Sequence, residues 1–212
     1  MATAREPVEA ALFNHASMAH NNHFFFERLS PTPVAIPTAL QASLERSFGS
    51  METLRQQFVV TAAAMFGPGF VWLVRTRDPG SGNSENFRIL TTYLAGTPYP
   101  GAHWRQQPTD MNTVGGVSPE GRAHAERYFD RSANAYAAAG LPSAAGDNVA
   151  PGGIKLWPVL CLNTWEHVWL RDYGIGQNGL GGKVTYAEKW WDAIDWNVVN
   201  ETARIDRRQM AA

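Results

Sequence analysis

Three apolar segments constrain the fold of this chain most strongly, because each has the composition of a β-strand. Two of them, FVWLVRTR at 70–77 and FRILTTYL at 87–94, flank the turn sequence PGSGN and predict an antiparallel hairpin. The third, KLWPVLCL at 155–162, follows after a long excursion over residues 95–153. A sheet that includes all three strands must therefore pair strands that this excursion separates in the chain. Connections of such length are typically functional or serve as binding extensions.

Helical patterns flank these strands. Before them, residues 11–26, 38–48 and 51–66 are predicted as helices, the second and third from apolar side chains three or four residues apart. The first is rich in asparagine and histidine, which are poor helix formers, so tertiary contacts are expected to hold it. After them, WEHVWLRDYG at 165–174 and AEKWWDAIDWNVVNETARIDRR at 187–208 predict further helical structure. Helices before and after a three-stranded sheet indicate an α+β fold.

The length and composition are those of one compact protein. Its 212 residues, of which 44% are apolar and 17% charged, can bury a sizeable core. The change from helical to strand patterns divides the chain into a helical N-terminal part, residues 1–66, and an α/β C-terminal domain, residues 67–212, with residues 95–153 as an insertion.

Charge, hydropathy and cysteine content argue against several classes of function. The formal net charge is -1 and the pI is about 6.6, whereas neutralising a nucleic-acid backbone needs a basic excess. No segment reaches the roughly 18 consecutive apolar residues of a membrane span. The one cysteine, Cys161, cannot form an intrachain disulfide and is expected to be a buried hydrophobe in a reducing compartment. The expected partners are therefore proteins or small molecules.

Four segments, in chain order, resemble the iron/manganese superoxide dismutase family. They are FNHASMAHNNHFFFERLSP at 13–31, FGSMETLRQQFVVTAAAMFGPGFVWLV at 48–74, LCLNTWEHVWLRDY at 160–173 and YAEKWWDAIDWNVVNE at 186–201. The resemblance implies a helical N-terminal part followed by a three-stranded antiparallel sheet flanked by helices, here with a long insertion before the third strand. It also implies that the first helix of the family is missing ahead of Phe13.

The resemblance gives this chain an incomplete set of metal ligands. Members of the family hold iron or manganese with three histidines and one aspartate. The second histidine corresponds to Asn22 and the aspartate to Asn163, whereas His167 matches a ligand histidine. A neutral amide in place of the carboxylate weakens the binding of a hard metal ion and changes its redox potential. The resemblance therefore implies a pseudoenzyme with no catalytic residue, no bound metal and no cofactor.

Three histidines on the first predicted helix leave two interpretations open. In the first, His15, His20, His23 and the neighbouring asparagines hydrogen-bond within a relict polar cavity or face a partner; in the second, the histidines contribute to a repurposed metal site. The second interpretation includes an active dismutase with the displaced ligand set His20, His23, Asn163 and His167. Against it, His23 lies one residue after the ligand position, a rotation of about 100° on a helix.

Glu166 and His167 are expected at a partner interface. In the family, the glutamate at the position of Glu166 crosses the dimer interface to hold a histidine ligand of the partner. Its presence beside a degenerate metal site implies that the interface is retained while the chemistry is lost. The alternative is that Glu166 only caps local structure.

Dismutase-like chains with lost ligands, a long insertion and a retained dimer surface resemble the proteins built into the small subunit of fungal mitochondrial ribosomes. This resemblance implies a structural ribosomal protein of the mitochondrial matrix. Its expected partners are other small-subunit proteins, among them a second dismutase-like protein as dimer partner, with limited rRNA contact and no membrane contact. A free dimeric pseudoenzyme outside the ribosome stays open as an alternative.

Overall fold

The structure, a computed structural model, describes residues 9–77, 85–99, 156–176 and 182–203. Its elements are α1 (Ala10–Phe26), α2 (Thr38–Phe48), α3 (Met51–Ala64), β1 (Gly69–Arg77), β2 (Glu85–Tyr93), β3 (Leu156–Asn163), α4 (Glu166–Tyr173), α5 (Gly182–Asp192) and α6 (Trp196–Ala203). The predicted α+β fold, with a three-stranded antiparallel sheet flanked by helices, is confirmed. From residue 100 onwards the predicted insertion lies outside the described residues, and the division after residue 66 stays a prediction.

The strand order is β2-β1-β3, so β1 lies in the centre of the sheet. β1 and β3 are antiparallel, with Phe70 opposite Asn163 at one end and Thr76 opposite Leu156 at the other. The side chains from Phe70 to Val74 in β1 are all at most 1% exposed, which explains why this part of the strand is a continuous apolar run. No helix in the described segments is long and apolar enough to cross a membrane.

A β-bulge in β3 lies next to a buried arginine. The register of β1 against β3 shifts between Leu73 and Val74. Pro158, which pairs with Val74, has no N–H to donate to the ladder, and prolines in sheets are found at such bulges. The neighbouring carbonyl of Val159 accepts a hydrogen bond of 3.0 Å from Nε of Arg28. The irregular strand thus offers a backbone acceptor to a charged side chain of another element.

Arg28, just after α1, joins three elements although it is only 5% exposed. Besides the bond to β3, its Nη1 donates to the Phe24 carbonyl at 2.9 Å and its Nη2 donates to Oγ1 of Thr202 on α6 at 3.1 Å. The guanidinium carbon lies 3.3 Å from the centroid of the Phe24 ring. Hydrogen bonds from an ionised donor are stronger than neutral ones, so this side chain fixes the end of α1 against β3 and α6.

Aromatic rings fill the core between α3 and the C-terminal helices. Phe58 on α3 is fully buried and lies 5.3 Å from the Trp190 ring and 6.1 Å from the Trp191 ring, measured between centroids. Trp191 in turn meets Trp196 edge to face at 5.3 Å. Ser50 is the N-cap of α3, because its side chain accepts the N–H of Thr53.

The predicted helical region 187–208 forms two helices in its described part, with a break between Asp192 and Trp196. Within the break, Ile194 forms an isolated antiparallel bridge with Leu29. The Asp195 carboxylate then accepts the backbone N–H of Asn197 at 3.0 Å, which is the geometry of a helix N-cap. The break therefore follows from one tertiary pairing and one local cap.

Tertiary contacts hold the polar helix α1, as predicted. The side chain of Ser17 donates to the Ala95 carbonyl at 2.6 Å, and Nδ2 of Asn21 donates to the Gly96 carbonyl at 2.8 Å. Both side chains are buried. The polar residues of α1 thus satisfy the backbone of the segment after β2, which compensates for their low helix propensity.

Replacing Arg28 by methionine tests the importance of the buried guanidinium. The change would leave the acceptors of Val159, Phe24 and Thr202 without their charged donor, so the free energy of unfolding should fall by about 3 kcal/mol. Urea denaturation measures this difference. The half-exposed Arg55→Met is the matched control and should change stability by less than about 0.5 kcal/mol. Equal effects of the two substitutions would contradict the assigned role of Arg28.

Candidate functional site

The two asparagines at the predicted ligand positions meet in space. Nδ2 of Asn163, the last residue of β3, donates a hydrogen bond of 2.9 Å to Oδ1 of Asn22 on α1. Asn163 is 1% exposed, and Asn22 is half-buried. The residues are separated by 141 positions in the chain, so the fold itself brings them together.

The remaining polar groups of Asn163 are also used by the protein. Its Oδ1 accepts the backbone N–H of Trp165 at 2.9 Å, two residues further on, in the local turn that asparagine favours. Its backbone carbonyl accepts the hydroxyl of Tyr186 on α5 at 2.9 Å. Asn163 therefore links the end of β3 to α1, to the start of α4 and to α5.

The predicted histidines do not gather around this amide pair. His23 points to solvent, with a side chain 75% exposed, and its Nε2 lies 2.9 Å from a carboxylate oxygen of Glu27. The His20 ring stacks on Phe24 with centroids 6.1 Å apart, and its Nδ1 lies 3.4 Å from Oδ1 of Asn21. His15 is exposed. His20 thus contacts a neighbouring asparagine, whereas His23 contacts Glu27.

The described residues do not fit an iron or manganese ion. Where the family resemblance implies a histidine and an aspartate, two neutral amides hydrogen-bond to each other. His167 is exposed, with its ring 5.6 Å from that of Trp165. In the described segments, no group of three or more histidine, cysteine, aspartate or glutamate side chains could hold a metal ion. Hard M(II) and M(III) ions need anionic oxygen ligands, which this site lacks.

Glu166 and His167 lie at the surface, in the first turn of α4. Trp165 occupies the N-cap position, and no side chain caps this helix end by a hydrogen bond. The carboxylate of Glu166 near a helix N-terminus is electrostatically favourable, yet it satisfies none of the backbone N–H groups there. Glu166 is thus an exposed side chain that does not cap α4 by a hydrogen bond.

Lys183 on α5 was not singled out by sequence reasoning. Its Nζ donates to the Met65 carbonyl, just after α3, at 2.8 Å. Burial lowers the pKa of Lys183, and the Glu166 carboxylate partly opposes this shift. Gly182, which precedes it, has φ +61° and no space for a Cβ, which would lie 2.7 Å from the Ile175 carbonyl. The glycine thus allows the tight approach that positions Lys183.

Comparison with known proteins places these observations in a family. The sequence pattern described as "Iron/manganese superoxide dismutases, C-terminal domain" matches residues 36–104 and 141–202. The interruption between residues 104 and 141 falls inside the predicted insertion.

Individual relatives fall into two groups. The chain is 30% identical to the small ribosomal subunit protein mS42 of Schizosaccharomyces pombe, over 97% of this chain and 72% of the relative. It is 28% identical to mS43 of the same organism, over 94% of this chain and 63% of the relative. It is also 32% identical to the iron superoxide dismutase of Helicobacter pylori strain 26695, over 90% of this chain and 59% of the relative. The chain thus spans less than two thirds of the length of the last two.

A double-mutant cycle on Asn22 and Asn163 tests the amide pair. Asn163→Ala should lower the free energy of unfolding by about 2 kcal/mol, because a buried N–H and an amide lose their partners. Combined with Asn22→Ala, it should show a coupling energy of about 1 kcal/mol. Chemical denaturation of the four proteins measures both values, and exposed Asn197→Ala serves as the control. Additive effects of the two substitutions would show that the side chains do not interact.

The buried amine of Lys183 predicts a pH dependence of stability. Its pKa in the folded chain lies below the ordinary value of 10.5, so between these two values the unfolded chain binds more protons and the free energy of unfolding rises with pH. Lys183→Gln keeps a donor for the Met65 carbonyl but cannot titrate, so this part of the rise should disappear. Urea midpoints from about pH 8 to about pH 10 measure the difference.

The upper limit of this pH range is set by Tyr186. Burial raises the pKa of its phenol above the ordinary value of 10.0. Above about pH 10 this tyrosine ionises in the unfolded chain but not in the folded chain, so the free energy of unfolding falls only above that pH. An identical pH slope in the wild type and in Lys183→Gln would contradict the assignment.

Proposed function

Because the chain belongs to the iron/manganese superoxide dismutase family, we propose that it is a catalytically inactive member that serves as a structural component of the mitochondrial small ribosomal subunit. The hydrogen bond between Asn22 and Asn163 is the observation that supports inactivity most directly. Similarity to two small ribosomal subunit proteins of one organism supports the ribosomal role.

The loss of redox chemistry follows from the charge of the site. A metal that alternates between M(II) and M(III) needs an anionic ligand, both to remain bound and to set its potential. The aspartate position holds Asn163, a neutral residue that is buried and already hydrogen-bonded to Asn22 and to the Trp165 backbone. Binding a metal there would break these hydrogen bonds, and the neutral amide of Asn163 would offer the cation no negative charge in return.

An active dismutase with a displaced ligand set is the second candidate. It is supported by the 32% identity to the Helicobacter pylori enzyme. The geometry of the described residues opposes it, because His23 is paired with Glu27 at the surface and His167 is exposed next to Trp165. A displaced site would need both side chains to turn toward Asn163.

The proposed partners are other proteins of the small subunit, with a second dismutase-like protein at the surface that carries Glu166 and His167. Two relatives from a single organism that both carry names of small-subunit proteins support this pairing. The net charge of -1 favours protein partners and limited contact with rRNA. The insertion over residues 95–153 is proposed as a second docking segment.

Sedimentation of a mitochondrial lysate on a sucrose gradient tests the ribosomal role. The chain should migrate with the small-subunit rRNA at low and at high salt, because contacts between proteins are less sensitive to salt than contacts with phosphate. A chain that stays at the top of the gradient would contradict the proposal. Release at high salt alone would indicate that rRNA contacts, and not protein contacts, hold it.

Glu166→Ala tests the role of the dismutase-type interface. If the carboxylate pairs with the partner inside a buried interface, its removal should weaken association on the order of 30-fold. Sedimentation equilibrium of the chain with its dismutase-like partner measures the dissociation constant. The exposed Glu201 on α6 provides the control substitution Glu201→Ala, which should leave association unchanged. An unchanged constant for Glu166→Ala would remove this residue from the interface.

A further inference from the structure

The segment between α1 and α2 carries a threonine between two prolines. Residues 30–37 have the sequence SPTPVAIP and form neither helix nor strand. Pro31, Thr32 and Pro33 are all exposed. A residue that precedes proline is disfavoured in the helical conformation and favours an extended backbone. The segment therefore presents the Thr32 side chain to solvent between two prolines.

The two hydroxyl groups of this segment differ in how firmly the protein holds them. The backbone N–H of Ser30 donates to the Ala193 carbonyl at 2.8 Å, and its side chain donates to the Thr32 carbonyl at 2.7 Å. The Thr32 hydroxyl lies 3.4 Å from the Ser30 hydroxyl, which is too long for a strong hydrogen bond. An enzyme can therefore reach the Thr32 hydroxyl without breaking a strong hydrogen bond of that side chain.

The dipeptide Thr-Pro occurs twice in the chain, and the structure distinguishes the two copies. Thr32 and Pro33 are exposed, whereas Thr97 is 3% exposed and Pro98 is buried. An enzyme that modifies a side chain must enclose it in its own active site, so Thr97 would first have to become accessible by local unfolding. Thr97 is thus an internal control with the same dipeptide.

The proline after Thr32 is a feature that an enzyme can recognise. Proline has no backbone N–H, so Pro33 fits a pocket that contains no hydrogen-bond acceptor. Any other residue at this position would bury its N–H there without a partner. Such a pocket selects proline by penalising the alternatives. The exposed pair of Thr32 and Pro33 therefore matches a protein kinase that requires proline directly after the acceptor residue.

We propose that Thr32 is the acceptor residue of a proline-directed protein kinase. The Thr32 hydroxyl oxygen forms a bond to the γ-phosphorus of a nucleoside triphosphate, and the bond from that phosphorus to the oxygen of the β-phosphate breaks. The nucleoside diphosphate leaves, and the hydroxyl proton passes to a base of the kinase. The product carries about -1.5 to -2 charges and three acceptor oxygens that an arginine can bind. The inference does not depend on the ribosomal role.

Phosphorylation of the folded, full-length chain tests this proposal. The purified chain is incubated with ATP and a mitogen-activated protein kinase, and the phosphate at each threonine is quantified over time by mass spectrometry. Thr32 should be modified at least about 100-fold faster than Thr97, because only Thr97 requires local unfolding. Synthetic peptides of residues 26–38 and 91–103 serve as controls. They should react at similar rates, which attributes the difference to the fold.

Two substitutions test the acceptor and the recognition of proline separately. Thr32→Val should abolish phosphorylation of this segment, whereas Ser30→Ala should leave phosphorylation of Thr32 in place. Pro33→Ala should slow the reaction about 10-fold or more, because it introduces an N–H that the kinase pocket cannot satisfy. Circular dichroism of the variants verifies that they fold.

The outcomes decide between an accessible acceptor and an incidental dipeptide. Equal rates at Thr32 and Thr97, phosphate on Ser30 in place of Thr32, or an unchanged rate in Pro33→Ala would overturn the proposal. Phosphopeptide analysis of the protein isolated from its own cells completes the test. Phosphate on Thr32 would support the proposal, and its absence under all growth conditions sampled would overturn it.

Discussion

The pairing of β1 with β3 positions the strand that carries both Asn163 and the bulge facing Arg28. It places Asn163 opposite Phe70 at the end of the sheet, and the ladder continues as the N–H of Thr164 donates to the Gly69 carbonyl at 2.9 Å. On the other side of β1, a Cβ at Gly69 would collide with the Thr92 carbonyl of β2 and lie 2.8 Å from the methyl carbon of Met65, so only glycine permits β1 to approach β2 this closely. The end of β3 is thereby held in a fixed position beside α1, and the bulge of the same strand receives Arg28. The site and the buried arginine both depend on this one pairing.

Much of this architecture could be predicted from local patterns, since strands buried on both faces are continuous apolar runs and helices with one buried side repeat every three or four residues. The closeness of Asn22 and Asn163 could be predicted only through the family resemblance. The role of Arg28 could not be predicted from the sequence, because nothing in an arginine that follows a helix indicates that a bulge in a distant strand provides its hydrogen-bond acceptor. Lys183 was missed for the same reason, because burial of an amine arises from tertiary structure.

The amide pair suggests how a dismutase fold can persist without its metal. An isolated aspartate at the Asn163 position, buried and without a cation, would carry a large desolvation cost. An asparagine there is neutral, and its donor and acceptor both find partners in Asn22 and the Trp165 backbone. The same two elements that a metal would join are then joined by a hydrogen bond.

The metal content of the chain, purified in its native state from cells supplied with iron and manganese, tests the central claim most directly. Elemental analysis by mass spectrometry, combined with an assay of superoxide removal on the same sample, should show metal far below one ion per chain and no activity above that of buffer. One equivalent of iron or manganese per chain, together with superoxide removal, would contradict the account, since it would require a ligand set that the pair of Asn22 and Asn163 does not provide.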